Sequence, residues 1–105
     1  MKTLSSKRAK ALSIPKAVKE RVWERDLHRC VYCNSVYAFP EAHVVPRSRG
    51  GLGIEQNIVT LCRLCHEAYD HGTASMRQEI GSYLRNYLKI FYPGWDENDM
   101  KYRKE

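Results

Sequence analysis

The sequence predicts a small α+β domain, with a short β-unit flanked by N- and C-terminal helices. Three observations point to it. Apolar residues recur at helical spacing over 18–27 and again over 80–91, while residues 29–45 are rich in β-formers. The chain of 105 residues makes one domain with a modest core, which favours a staple. All four cysteines fall in two Cys-x-x-Cys pairs, Cys30 with Cys33 and Cys62 with Cys65, separated by 28 residues. Each pair offers two sulfurs from one turn, and two pairs complete a tetrahedron. The spacing therefore predicts one structural zinc with no position left for water. Two disulfides are the alternative. The symmetric spacing and the lack of a secretory signal favour thiolates on zinc in a reducing, cytoplasmic compartment.

Residues 1–13 are rich in Lys, Ser, Thr and Ala and are expected as a basic flexible arm, with 14–105 as a single domain. Ser13 is placed to cap a helix and Pro15 to sit in its first turn, and the helix is expected to run to about Leu27. Val18, Val22, Trp23 and Leu27 form its apolar stripe. Cys33-Asn34-Ser35 supplies a tight turn, and Ala42–Val45 is expected as the second strand of a hairpin whose first strand lies upstream, interrupted at Pro40. A loop freed by Gly50, Gly51 and Gly53 follows, then a short apolar run over 57–61. A helix from near Arg63 to Gly72 completes a core over 28–72. A second helix over about 75–91 carries the stripe Ile80, Leu84, Tyr87, Leu88 and Phe91. Pro93-Gly94 ends it, and the tail with Trp95, Met100 and Tyr102 is expected to fold back over the body.

A hydrophobic fraction of 43% excludes wholesale disorder, and no apolar run is long enough to span a membrane. The net charge is +6, and residues 1–25 account for all of it, with eight basic residues against Glu20 and Glu24. A basic arm on a neutral body implies phosphate binding, with a solvated tail as the bland alternative.

The segment His43-Val-Val-Pro-Arg-Ser-Arg-Gly-Gly, followed by Asn57 and by His66 directly after Cys65, resembles the HNH endonuclease motif. The resemblance extends over 16–72. Gly51-Leu-Gly-Ile-Glu-Gln-Asn57 together with Asp70-x-Gly72 is similar, more narrowly, to the small HNH proteins of bacteriophages. It implies a ββα-metal (His-Me) finger: two antiparallel strands and a helix around one divalent ion. By the same resemblance His43 is the general base, Asn57 fixes the loop and orients His43, and His66 ligates a catalytic Mg²⁺, Mn²⁺ or Ni²⁺. The substrate implied is DNA, nicked or cut in both strands, in a setting of phage DNA packaging with packaging proteins as partners and the host cytoplasm as location.

Many family members carry Asp or His immediately before the general base, where this chain has Ala42. Asp70, one helical turn beyond His66, is the favoured second ligand. Glu41, on the same strand face as His43, and His71 are the other candidates. Arg47 and Arg49 flank the glycine loop as DNA-phosphate contacts, while His28 is expected simply at the surface. Two further readings stand beside the nuclease. One is a zinc-stapled DNA-binding module without catalysis. The other is an accessory role in a larger machine, docked through the stripe of the 75–91 helix.

Overall fold

The computed structural model describes residues 6–103. The first helix, α1 (Lys7–Leu12), lies within the stretch expected as an arm. Its low apolar content hides two capping serines. The Ser6 hydroxyl accepts from Ala9 N at 3.0 Å, and Ser13 Oγ donates to the Ala9 carbonyl at 2.9 Å. Its one large apolar residue, Leu12, is buried at 3% exposure and pins it to the body. Residues 1–5 of the expected arm lie outside the described residues.

The second helix, α2 (Lys16–Arg25), has Pro15 at its N-cap position and so no side-chain cap; Ser13, expected in that role, instead closes α1. It buries Val18 and Val22 against Ile58. Asp26 closes it, and Leu27 and His28 both take φ of 60°, so the helix cannot continue. Trp23 stacks on the exposed His28 at 4.9 Å, and His28 Nε2 pairs with Glu24 at 2.7 Å, which leaves His28 a surface residue.

The strand pairing differs from expectation. No hairpin forms within 29–45. Strand β1 (Ala38–His43) pairs antiparallel with β2 (Ile58–Cys62), in the register Ala38↔Cys62 to His43↔Ile58. Upstream, Val31–Tyr37 is consumed by the first cysteine turn, where Asn34 adopts φ of 71° and its N–H reaches the Cys30 carbonyl at 2.9 Å. The β-formers Val36 and Tyr37 are left exposed. A register slip between Phe39 and Ala42 accommodates Pro40, which has no N–H for the ladder. Residues of β2 are buried throughout, and Val31 N donates to the Thr60 carbonyl at 3.0 Å, so the cysteine turn covers the outer edge of β2.

The third helix, α3 (Arg63–His71), leaves β2 directly, and α4 (Ala74–Phe91) follows after Gly72, capped by the Thr73 hydroxyl. Ile80, Leu84 and Leu88 of α4 are buried in the main core with Val44, Val45, Val59 and Leu61. Most of the α4 stripe is thus consumed internally, which argues against docking through it. The tail folds back as expected. Trp95 and Met100 are buried, and Lys101 bridges Gly51. Gly50 uses the expected conformational freedom, with φ of 84°, but Gly51 and Gly53 have a different reason. A Cβ at Gly51 would sit 1.6 Å from the Val45 carbonyl oxygen, and one at Gly53 would sit 1.9 Å from that of Ser13. These glycines permit close backbone contact in a packed loop.

Candidate active site

The two ends of the β1–β2 ladder carry different chemistry. At the Ala38↔Cys62 end the four cysteines converge, their sulfurs all within 4.8 Å of one another. The Cys33 and Cys62 sulfurs are 3.6 Å apart. A tetrahedral ion with sulfur bonds of about 2.3 Å has edges of about 3.8 Å. Backbone N–H groups support the sulfurs, with Cys33 N pointing to Cys30 Sγ at 3.5 Å and Cys65 N to Cys62 Sγ at 3.4 Å. Burial and the neighbouring Cys62 sulfur push the Cys65 thiol up, so an ion binding there would displace its proton. The donor set fits zinc, and the four cysteines are positioned to bind a metal.

At the His43↔Ile58 end, roughly 13 Å along β2 from Cys62, a cleft of about 940 Å³ opens. His43 and Glu41, alternate residues of β1, both line it, whereas Ala42 points into the core at 1% exposure. From α3 come His66, Asp70 and His71. His66 Nε2 lies 3.2 Å from Asp70 Oδ2, with their side chains 38% and 43% exposed. Glu41 is instead engaged by Lys19 Nζ at 3.4 Å.

His43 is half-buried, and its Nε2 lies 2.9 Å from the carbonyl oxygen of Leu12. A carbonyl only accepts, so Nε2 carries the proton and Nδ1 keeps a lone pair. Burial holds this imidazole below its ordinary pKa. The nearby Arg47 and His66 push in the same direction, and the Leu12 carbonyl opposes them. The ring is therefore neutral at pH 7.

Asn57 does not line the cleft. It is fully buried beneath it and ties the 44–57 loop to itself. Its Oδ1 accepts from Val45 N at 2.8 Å, and its Nδ2 donates to the carbonyls of Val45 at 3.1 Å and Leu52 at 2.9 Å. Its own carbonyl accepts from Val44 N, the residue after His43. Every polar atom of the side chain is used at one point of the loop, and this holds the end of β1 that carries His43.

The cleft is positive. Lys19, Arg47, Arg49, Arg77 and Arg85 line it against Glu41 and Asp70. Lys19 is paired with Glu41, and Arg85 with Glu97 at 3.0 Å. Among the described residues, Arg47, Arg49 and Arg77 have no carboxylate partner.

A two-stranded ladder running into a helix, a four-sulfur cluster positioned for a metal at one end and a histidine-lined basic cleft at the other define a small domain of the ββα type. Residues 30–78 match the family model of the HNH endonucleases, and this part of the chain is an HNH endonuclease domain. No curated protein and no solved structure matches the chain significantly.

Several residues escape sequence reasoning. Arg25, counted there with the basic arm, is largely withdrawn from solvent beside the buried Asp26. Its guanidinium donates to Asp26 Oδ1 at 2.7 Å, the Glu55 carbonyl at 2.8 Å and the Ile58 carbonyl at 2.7 Å, and lies over the rings of Tyr87, Phe91 and Tyr92. Asp26 in turn accepts from Thr60 N at 2.9 Å and Tyr87 Oη at 2.7 Å. This network ties α2 to β2 and α4. The Leu12 carbonyl reaches His43 from 31 residues upstream and Arg77 enters the cleft from α4, and no local pattern marks either.

Proposed function

We propose that this protein is a metal-dependent endonuclease that hydrolyses DNA phosphodiester bonds in the basic cleft. One observation carries the reading: His43 and the His66–Asp70 pair line the same cleft, among arginines that lack carboxylate partners. In this reading His43 is the general base, Asn57 its positioning residue, and Arg47 and Arg49 contact DNA phosphates. His66 and Asp70 would hold a divalent ion such as Mg²⁺, Mn²⁺ or Ni²⁺. Their 3.2 Å separation suits two adjacent corners of an octahedron, which lie about 3.0 Å apart for bonds near 2.1 Å. Glu41 is less suited, since Lys19 already neutralises it.

When bound, the ion supplies positive charge to the scissile phosphate and its leaving oxygen. His43 Nδ1 removes a proton from water, and the water oxygen attacks phosphorus. The bond from phosphorus to the 3′ oxygen breaks, and that oxygen is protonated by solvent. Because Nε2–H is held by Leu12, the ring needs no tautomer change to act. Zinc at the cysteines takes no part in this step. Residues 14–105 act as one unit, and α1 reaches the site through the Leu12 carbonyl on His43, with Ser13 and Ile14 after it lining the cleft. One cleft per chain favours nicking by a monomer, and the resemblance to small phage HNH proteins supports a setting in phage DNA packaging or processing.

The test is plasmid cleavage by zinc-loaded His43→Ala in Mg²⁺ or Mn²⁺. Loss of cleavage with zinc content and circular dichroism unchanged is expected. Undiminished cleavage, free of contaminating nuclease, would falsify the assignment. A second reading, a zinc-stapled DNA-binding module without catalysis, draws on Ala42, which faces the core and leaves the cleft without a ligand at that position. Titrating Mn²⁺ into zinc-loaded protein separates the two, because a pure binder takes up no second ion.

A further inference from the structure

Arg77 stands on α4, one turn beyond its Thr73 cap, at the edge of the matched domain. It lines the same cleft as His43 and His66, is exposed, and has no carboxylate partner among the described residues. Arg47 and Arg49, which share those properties, come from a different element, the 3-10 turn Arg47–Arg49 after β1. Three uncompensated guanidinium groups facing one concavity repel one another, and an anion entering it relieves that repulsion. The paired cations show the contrast, since Lys19 and Arg85 line the cleft too but are each answered by a glutamate. Gln78, beside Arg77, adds a neutral donor to the same wall.

We infer that Arg77 is a DNA-phosphate contact on a second wall of the cleft, so that the duplex backbone is gripped from α4 as well as from the loop bearing Arg47 and Arg49. This rests on the reading of the cleft as a DNA site but not on cleavage. The planar guanidinium suits a phosphate oxygen pair. Gripping from two elements fixes the phosphate between them against rotation, which a single loop cannot do.

The experiment measures binding of a fluorescently labelled DNA duplex to full-length, zinc-loaded protein by anisotropy, without added divalent ion, across 50–200 mM salt. Each phosphate contact contributes about 0.9 to the slope of log K against log salt. Arg77→Ala and Arg77→Gln should each reduce the slope by about that amount and weaken binding at every salt concentration. Lys89→Ala removes the same charge from the far end of α4, about 18 Å along the helix axis, and should leave the slope unchanged. Slopes for both Arg77 variants equal to that of Lys89→Ala overturn the inference, while a reduced slope for Arg47→Ala in the same series keeps the cleft as the DNA site. If Arg47→Ala and Arg49→Ala also leave the slope unchanged, the cleft reading falls with it. Zinc content and circular dichroism of each variant verify the fold.

Discussion

The two ends of the β1–β2 ladder hold metal-binding groups in opposite ways. At one end the sulfurs of four cysteines, with Cys30 and Cys62 buried, lie within 4.8 Å of one another. At the other, a single imidazole and a single carboxylate stand 3.2 Å apart with roughly two-fifths of each side chain exposed. A saturated set of soft donors holds an ion as a crosslink. A pair of ligands at an open cleft leaves coordination positions for water and substrate. On the proposed function the first arrangement serves folding and the second serves chemistry, and this division gives each end its own signature when it is perturbed.

The largest expected effect lies at the closed end. Removing the ion with a strong chelator, or making Cys62→Ser, should unfold the domain, since structural zinc contributes about 10–16 kcal/mol in zinc-finger peptides. Loss of near-UV circular dichroism and NMR dispersion measures it; a chelated protein that keeps both would abolish the contrast between the ends.

Next comes the Arg25–Asp26 network, which stiffens β2 between the ends. Arg25→Ala leaves Asp26 buried and charged and should cost about 3–5 kcal/mol, read as a lower urea midpoint. A change below about 1 kcal/mol would mean that the pair relaxes into water.

Deleting residues 1–13 sharpens the comparison from the open end. Zinc content should be retained, while cleavage falls by about tenfold or more as His43 loses the Leu12 carbonyl. The ¹⁵N shifts of the ring report this directly, with Nε2 protonated in the full chain and a mixture of tautomers in the truncated one. A single tautomer in both would remove α1 from the mechanism.

The smallest effect belongs to Glu55, which lies in neither centre. Hydrogen bonding from Tyr92 and then Arg21 holds its carboxyl below its ordinary value of 4.5. The unfolded chain therefore takes up this proton first as the pH falls. The contribution to stability is complete above pH 4.5 and disappears as acid titrates the folded carboxylate. With the group partly exposed it amounts to about 0.5 kcal/mol. Glu55→Gln should lower stability slightly at pH 7, and the difference from the parent should shrink as the pH falls below 4.5, by parallel urea titrations.

Helices α2 and α4 were legible because burial imposes a 3.6-residue period that survives in Val18/Val22 and Ile80/Leu84/Leu88. The pairing of strands was not. Val36 and Tyr37 have the composition of a strand, yet the cysteine turn beside them dictates the backbone. The true partner of β1 lies across the long loop that Asn57 closes, so its apolar run looked like a connector. The turn at Gly50 was visible, but the reason for Gly51 and Gly53 was not, because the atoms that exclude a Cβ there belong to Val45 and Ser13.

The order of residues by itself determined the sulfur centre, the helix stripes and the histidine–asparagine–histidine spacing. Each of these is written in short-range intervals that a turn or a helix converts directly into geometry. Tertiary structure alone decided the fate of each charge. Arg25 and Arg47 are the same side chain to any local reading, yet one is clamped by Asp26 inside the protein and the other faces open solvent in the cleft. Whether a cation is neutralised depends on which carboxylates the fold brings within a few ångströms, and Coulombic pairing at that range carries no signature along the chain.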